Sequence, residues 1–102
     1  MAKKLGIFVT TDRNLRHVVE TAKAAGRAGK EVIIFFTHSA VRLTQEPEFE
    51  ELVGHAKYAI CNVSWEGNGL KGKTVPGMDP KGFATQARNG EMIEDCDKYL
   101  VL

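Results

Sequence analysis

The sequence predicts a small α/β domain: a three-layer α/β/α sandwich around a mainly parallel sheet. Three observations carry that expectation. Residues 5–11 (LGIFVTT) form a compact, apolar, β-branched run, and the residues after it change to helical spacing. Residues 31–37 (EVIIFFT) are apolar on both faces, as strands are in sheets covered on both sides. Strand and helix patterns then alternate, which is the signature of parallel α/β architecture. At 102 residues the chain can bury one core and not two, so 1–102 reads as a single domain.

Taken in order, residues 5–11 are the first strand. Asp12 is placed to cap a helix whose apolar positions are Leu15, Val18, Val19, Ala22 and Ala25, and Gly26 and Gly29 close it. Residues 31–37 are the second strand. A helical region is expected over 39–56, broken near Pro47, with Phe49, Leu52 and Val53 as its later apolar stripe. Residues 57–64 read as the third strand, and 65–82, rich in glycine and proline, as a long loop holding at most a turn of helix. A short strand is expected at 82–86, a short helix capped by Asn89 and containing Met92 and Ile93, and a terminal strand at 98–102 (KYLVL).

Composition narrows the function. The chain is 43% hydrophobic and 26% charged with a formal net charge of +1, so no charge excess points to nucleic acid or anionic lipid. No apolar run approaches the roughly 20 residues that span a bilayer. The lysines and apolar run near the start pass straight into TTDRN with no small-residue cleavage site, which reads as a strand and not a signal peptide. Two cysteines make no disulfide framework, and the cytoplasm is the expected compartment.

One stretch advertises phosphate binding. In GNGLKGKT, Gly67, Gly72, Lys73 and Thr74 satisfy G-x-x-x-x-G-K-T, and Gly67, Gly69 and Gly72 satisfy G-x-G-x-x-G. Both motifs need a helix to follow, because its N-terminus supplies the positive end that meets the phosphate. Here the next residues are VPGMDP, through which no regular helix propagates. For the dinucleotide pattern, the acidic candidates Glu91 and Glu94 fall in a helix instead of ending a strand. The favoured reading is a flexible glycine loop with solvated lysines.

Ligands of parallel α/β sheets collect beyond the carboxyl ends of the strands. Those ends offer Thr10, Thr11 and Asp12, then Thr37, His38 and Ser39, then Cys61, Asn62 and Ser64. If the first strand lies between the other two, His38 and Cys61 face one crevice and Lys71 or Lys73 can fold over it. Positive charge and a helix starting near Ser64 would then favour the thiolate. Against this, cysteine in an apolar strand often packs as a small inert hydrophobe. The residues alone leave both readings open. His38 reads as a polar strand-end residue before it reads as a general base, and His17 and His55 read as solvated. The histidines and cysteines show no metal-ligand spacing. An internal disulfide is not expected, since Cys96 precedes its strand while Cys61 lies well along another; Cys96 is expected to pack beneath the short helix.

With these segments in view, the chain resembles the DsrE/DsrF-like family, which includes sulfur-relay subunits. The resemblance rests on LGIFVTT with its helix, AAGRAGKEVIIFFTHSAV, YAICNVSWEGNGL and DCDKYLVL, and spans nearly the full length. It implies a DsrE/DsrF-like, flavodoxin-like topology. It also implies that Cys61 accepts sulfane sulfur as a persulfide and passes it on within a trimer or hexamer, with sulfur donor and acceptor proteins as partners. In this chain Asn62, Ser64, Trp65 and two nearby glycines stand where relay members run into a small-residue helix.

On this reading Cys61 is the catalytic residue, the pocket is shaped by Asp12, His38, Ser39, Asn62, Ser64, Trp65 and Lys71, and no cofactor, metal, nucleic acid or membrane is involved. The alternative from another class is a non-catalytic oligomeric small-ligand-binding or structural module in which Cys61 only packs. Trp65 and Phe83 are expected to be exposed and to offer an assembly surface.

Overall fold

The computed structural model describes residues 3–78, 83–84 and 87–102, apart from the side chains of residues 88 and 89. The chain forms β1 (Lys4–Val9), α1 (Leu15–Arg27) and β2 (Glu31–Phe36), followed by two 3-10 segments, His38–Gln45 and Pro47–Leu52. After these come β3 (Lys57–Cys61), α2 (Asn62–Gly67), β4 (Phe83–Ala84), α3 (Ala87–Asp95) and β5 (Lys98–Val101). The five strands make one sheet in the order β4-β3-β2-β1-β5, and every pairing is parallel.

This order corrects one expectation. The first strand does not lie between the second and third; instead β2 lies between β1 and β3, with Ile7 opposite Ile34 on one side and Ile34 opposite Tyr58 on the other. A flavodoxin-like sheet runs 2-1-3-4-5. Here three successive crossovers step the same way from β1 to β4, and only the last returns to the far side of β1. Crossovers of one hand that step in one direction lay their connections on one face, and a reversed step lays its connection on the other.

The two cores follow from that rule. Leu5, Ile7, Val9, Val32, Ile34, Phe36 and Ile60 pack against α1, the 3-10 segments and Trp65 of α2. The alternate strand residues Phe35, Ala59 and Cys61 pack with Met92 of α3, flanked by Phe8, Ile33, Cys96 and Tyr99. The first core is centred on aromatic rings in mutual contact, Phe36 to Phe49 at 5.6 Å and Phe49 to Tyr58 at 5.2 Å between centroids.

Helix α1 buries Leu15, Val18, Val19, Ala22 and Ala25, as their spacing requires. Asp12 does not cap it. Asn14 occupies the cap position without a side-chain bond to the helix N–H groups, and Asp12 turns instead toward Arg42. At the other end Gly29, at φ 78°, takes the left-handed turn, and the N–H groups of Ala28, Gly29 and Lys30 satisfy the last carbonyls. Arg16 grips Glu51 of the second 3-10 segment with two bonds of 3.1 and 3.2 Å, and Lys23 Nζ adds a third at 2.8 Å.

Residues 39–56 differ from the helix expected there. Thr44 Oγ1 donates to Val41 O at 2.8 Å, drawing a carbonyl away from the α-helical pattern, and Pro47 stops the first segment and opens the second. The third strand ends at Cys61, not at 64, and α2 is longer than the single turn expected. Burial passes from the continuous run Tyr58, Ala59, Ile60 and Cys61 to helical spacing there, with Cys61 and Trp65 buried and Asn62 and Val63 exposed. Helix α3 begins at Ala87, which places Asn89 inside it and not at its cap. Of the strand expected at 82–86, Phe83 and Ala84 pair with Ile60 and Cys61; residues 82, 85 and 86 lie outside the described residues, as do 79–81 of the preceding loop. No helix among the described residues is long and apolar enough to cross a membrane.

Candidate functional site

At the carboxyl edge of the sheet, β2 runs into Thr37, which is fully buried, and His38, which is exposed and held at φ 52°. A left-handed backbone at a non-glycine residue costs free energy and persists only where its surroundings hold it. Those surroundings come from α2. Ser64 Oγ accepts the His38 N–H at 2.9 Å and shares a hydrogen bond with Thr37 Oγ1 at 3.2 Å. Asn68 Nδ2 donates to His38 O at 3.1 Å and to Ser64 O at 2.7 Å.

The lattice then reaches the first strand's end. Arg42 Nε donates to Asn68 Oδ1 at 2.9 Å, and its Nη1 lies 3.7 Å from Asp12 Oδ2. Asp12, His38 and Ser64 are therefore joined, through Arg42 and Asn68, into one network spanning the ends of β1 and β2 and the start of α2. Arg42 and Asn68 carried no sequence signal. They are 26 residues apart, one in a segment that reads as helix and the other inside the glycine loop.

Cys61 belongs to the second core. It is the last residue of β3, only 4% exposed, and it packs into the second core beside Phe35, Ala59 and Met92. The lattice residues Ser64 and Asn68 turn toward the first 3-10 segment. The expectation that His38 and Cys61 face one crevice depended on β1 lying between their strands, which it does not.

The remaining expected residues disperse. Ser39 is half-buried in the 3-10 segment, Asn62 is exposed on α2, and Lys71 is exposed in a turn. Trp65 is 3% exposed, not the surface residue expected, because it packs edge-on against half-buried Phe83 at 5.0 Å. The exposed apolar side chains lie elsewhere, notably Val63 on α2, Ile93 on α3 and Val101 on β5.

The glycine stretch does not form a phosphate loop. Gly67 ends α2, Gly69 and Gly72 take left-handed turns, and the Lys73 N–H closes onto Leu70 O at 2.8 Å. No helix starts at Lys73 and Thr74; a turn at Pro76 and Gly77 stands there, pinned by the Tyr58 hydroxyl donating to Pro76 O.

Cys96 lies at the end of α3, half-buried, and neither it nor Cys61 forms a disulfide. Burial pushes its pKa above the ordinary value, and the neighbouring Asp95 carboxylate adds to the shift. Among the described residues no three His, Cys, Asp or Glu side chains converge to hold a metal ion. No protein-family model matches the chain, and no curated protein matches its sequence.

Proposed function

We propose that this chain is a DsrE-like sulfur carrier whose acceptor is Cys61. The observation that supports this is the position of Cys61, which closes an inner strand at the carboxyl edge of an all-parallel sheet. That edge is where sheets of this kind present reactive groups. In the transfer, the Cys61 thiolate attacks the outer sulfur of a donor persulfide, a new S–S bond forms, the donor's S–S bond breaks and the donor sulfur leaves as thiolate. An acceptor thiolate repeats the step on the Cys61 persulfide and releases Cys61. Donor and acceptor proteins, and assembly into a trimer or hexamer, belong to the same reading.

A second reading is favoured by one specific observation, the burial of Cys61. In that reading the protein is a non-catalytic module that binds a small ligand over the His38, Ser64 and Asn68 lattice, and Cys61 only packs. Native alkylation separates the two. Wild type, Cys61→Ser and Cys96→Ser are alkylated without denaturant across a pH series, and separate, unalkylated samples are exposed to a small-molecule persulfide donor and weighed by mass spectrometry. Uptake of one sulfur atom that disappears only in Cys61→Ser is the result expected of a carrier. A Cys61 that reacts only in denaturant sinks the carrier reading and leaves the binding module.

A further inference from the structure

The opposite end of the sheet holds a concentration of positive charge. A cavity of about 460 Å³ is lined by Lys23, Gly26, Arg27, Lys30, Gly54 and His55. Among the described residues no carboxylate lines it. A second cavity of about 410 Å³ shares Lys30, Gly54 and His55 and extends to Lys57 at the amino end of β3, where Glu31 also lines it. Two of the lysines already have partners: Glu51 holds Lys23 at 2.8 Å, and Glu31 lies 3.3 Å from Lys57. Among the described residues Arg27 and Lys30 form no ion pair.

Gathering cations around one concavity is unfavourable unless an anion answers them, and a concave wall focuses the field on whatever enters. In a chain of net charge +1 the cluster is not a by-product of a basic composition. Arg27 stands in the last turn of α1, where it complements the helix dipole, but that accounts for one cation and not for Lys30. The carbonyls of Ala24, Ala25 and Gly26 at that helix end are taken up by the N–H groups of Ala28, Gly29 and Lys30, which blunts their repulsion of an anion.

Gly26 points the same way. Glycine inside a helix costs about 1 kcal/mol relative to alanine. A Cβ at Gly26 would meet nothing within 4 Å, so no packing constraint requires a glycine there. Its bare backbone leaves the cavity floor open.

We propose that this cavity is a binding site for a small polyanion with at least two adjacent phosphate-type groups, one held by Arg27 and the next by Lys30, with Gly26, Gly54 and His55 lining the space between. Guanidinium and ammonium groups suit oxyanions of this kind, the first by paired N–H donors and the second as a point charge. The site lies at the amino ends of β2 and β3, away from the carboxyl edge that carries Cys61, and stands whether or not Cys61 carries sulfur.

The test is titration of inorganic pyrophosphate, orthophosphate and ADP into the native protein at low ionic strength, followed by calorimetry and by amide shifts of ¹⁵N-labelled protein. Pyrophosphate is expected to bind about tenfold more tightly than orthophosphate, with the largest shifts at Gly26, Gly54 and His55. Arg27→Ala with Lys30→Ala should weaken it about tenfold or more. Gly26→Glu, which adds a carboxylate where there is open space, should abolish it while circular dichroism stays native. Arg13→Ala, an exposed cation at the other end of the sheet, should change nothing. ADP should match pyrophosphate, since the cavity is read from its cations alone. Absence of binding at millimolar pyrophosphate, a loss in the double variant no larger than in Arg13→Ala, or ADP binding far more tightly than pyrophosphate would overturn the proposal.

Discussion

The N–H of His38 donates to Ser64 Oγ at 2.9 Å while His38 itself is held at φ 52°, so a side chain on α2 fixes the backbone that leaves β2. The left-handed conformation costs a side-chain-bearing residue about 1–2 kcal/mol. His38→Gly should therefore raise the unfolding free energy measured in urea, by up to about 1 kcal/mol after glycine's own entropy cost, and His38→Val should lower it. Ser64→Ala should cost about 1–2 kcal/mol by leaving the His38 N–H without its acceptor. A His38→Gly protein less stable than wild type would show that the imidazole contributes more than the strain it imposes.

Gly6 and Cys96 share one space. A Cβ at Gly6 would lie 3.0 Å from Cys96 Sγ and 3.3 Å from Tyr99 Cδ2. Alanine in a strand gains about 0.5–1 kcal/mol over glycine, whereas overpacking costs about 1–3 kcal/mol, so Gly6→Ala should be a net loss. Cys96→Ala should relieve part of it. Equilibrium unfolding of the two single variants and the double gives the coupling, and additive effects would argue that the contact is not what restricts position 6.

The grip of Arg16 and Lys23 on Glu51 has a pH signature. Hydrogen bonding to Arg16, then to Lys23, holds the Glu51 carboxyl at a pKa of about 2, below its ordinary 4.5. A lowered carboxylate pKa stabilises the folded state above the ordinary value, and that stabilisation is lost as pH falls toward the folded one. Wild type should thus exceed Glu51→Gln in stability above pH 4.5, and the gap should close toward pH 2. The site is exposed, so added salt should shrink the gap at every pH. Parallel urea melts of the two proteins across that range measure it; a gap independent of pH would contradict the ion-pair origin.

Trp65 is the chain's one tryptophan and reports the packing of α2 on β4. Its emission should be blue-shifted and poorly quenched by acrylamide in the native protein. Phe83→Ala should red-shift it without global unfolding, and Trp65→Ala should cost about 3–5 kcal/mol. Free quenching in the native state would place the ring in solvent, contrary to its burial.

What the sequence disclosed was local. Residues 31–37 are apolar at every inward position on both faces, so β2 could be read as an inner strand, and the stripe from Leu15 to Ala25 gave α1 its buried side. Strand order was not legible, because it depends on which edge the last strand joins, and KYLV carries nothing that distinguishes one edge from another. The boundary of β3 was misplaced since YAICNVSW is apolar enough for strand or helix. Asp12, His38 and Ser64 could be picked out as polar residues at strand ends. Their joining through Arg42 and Asn68 could not, as no periodicity links the two. The period of two puts Cys61 on the face of Ala59, but which helix covers that face is again a matter of topology.

The sheet order also bears on how the chain assembles as it is made. From β1 to β4 each new strand emerges beside its predecessor, so the growing edge always meets the strand just synthesised. The far edge of β1 has to wait for β5, through the seconds in which the ribosome adds α2, the glycine loop and α3. During that interval Phe8 and Ile7 border an unpaired strand, which is the kind of edge that recruits a neighbouring chain. A nascent chain stalled before Lys98 should therefore be the form most prone to aggregate or to need a chaperone.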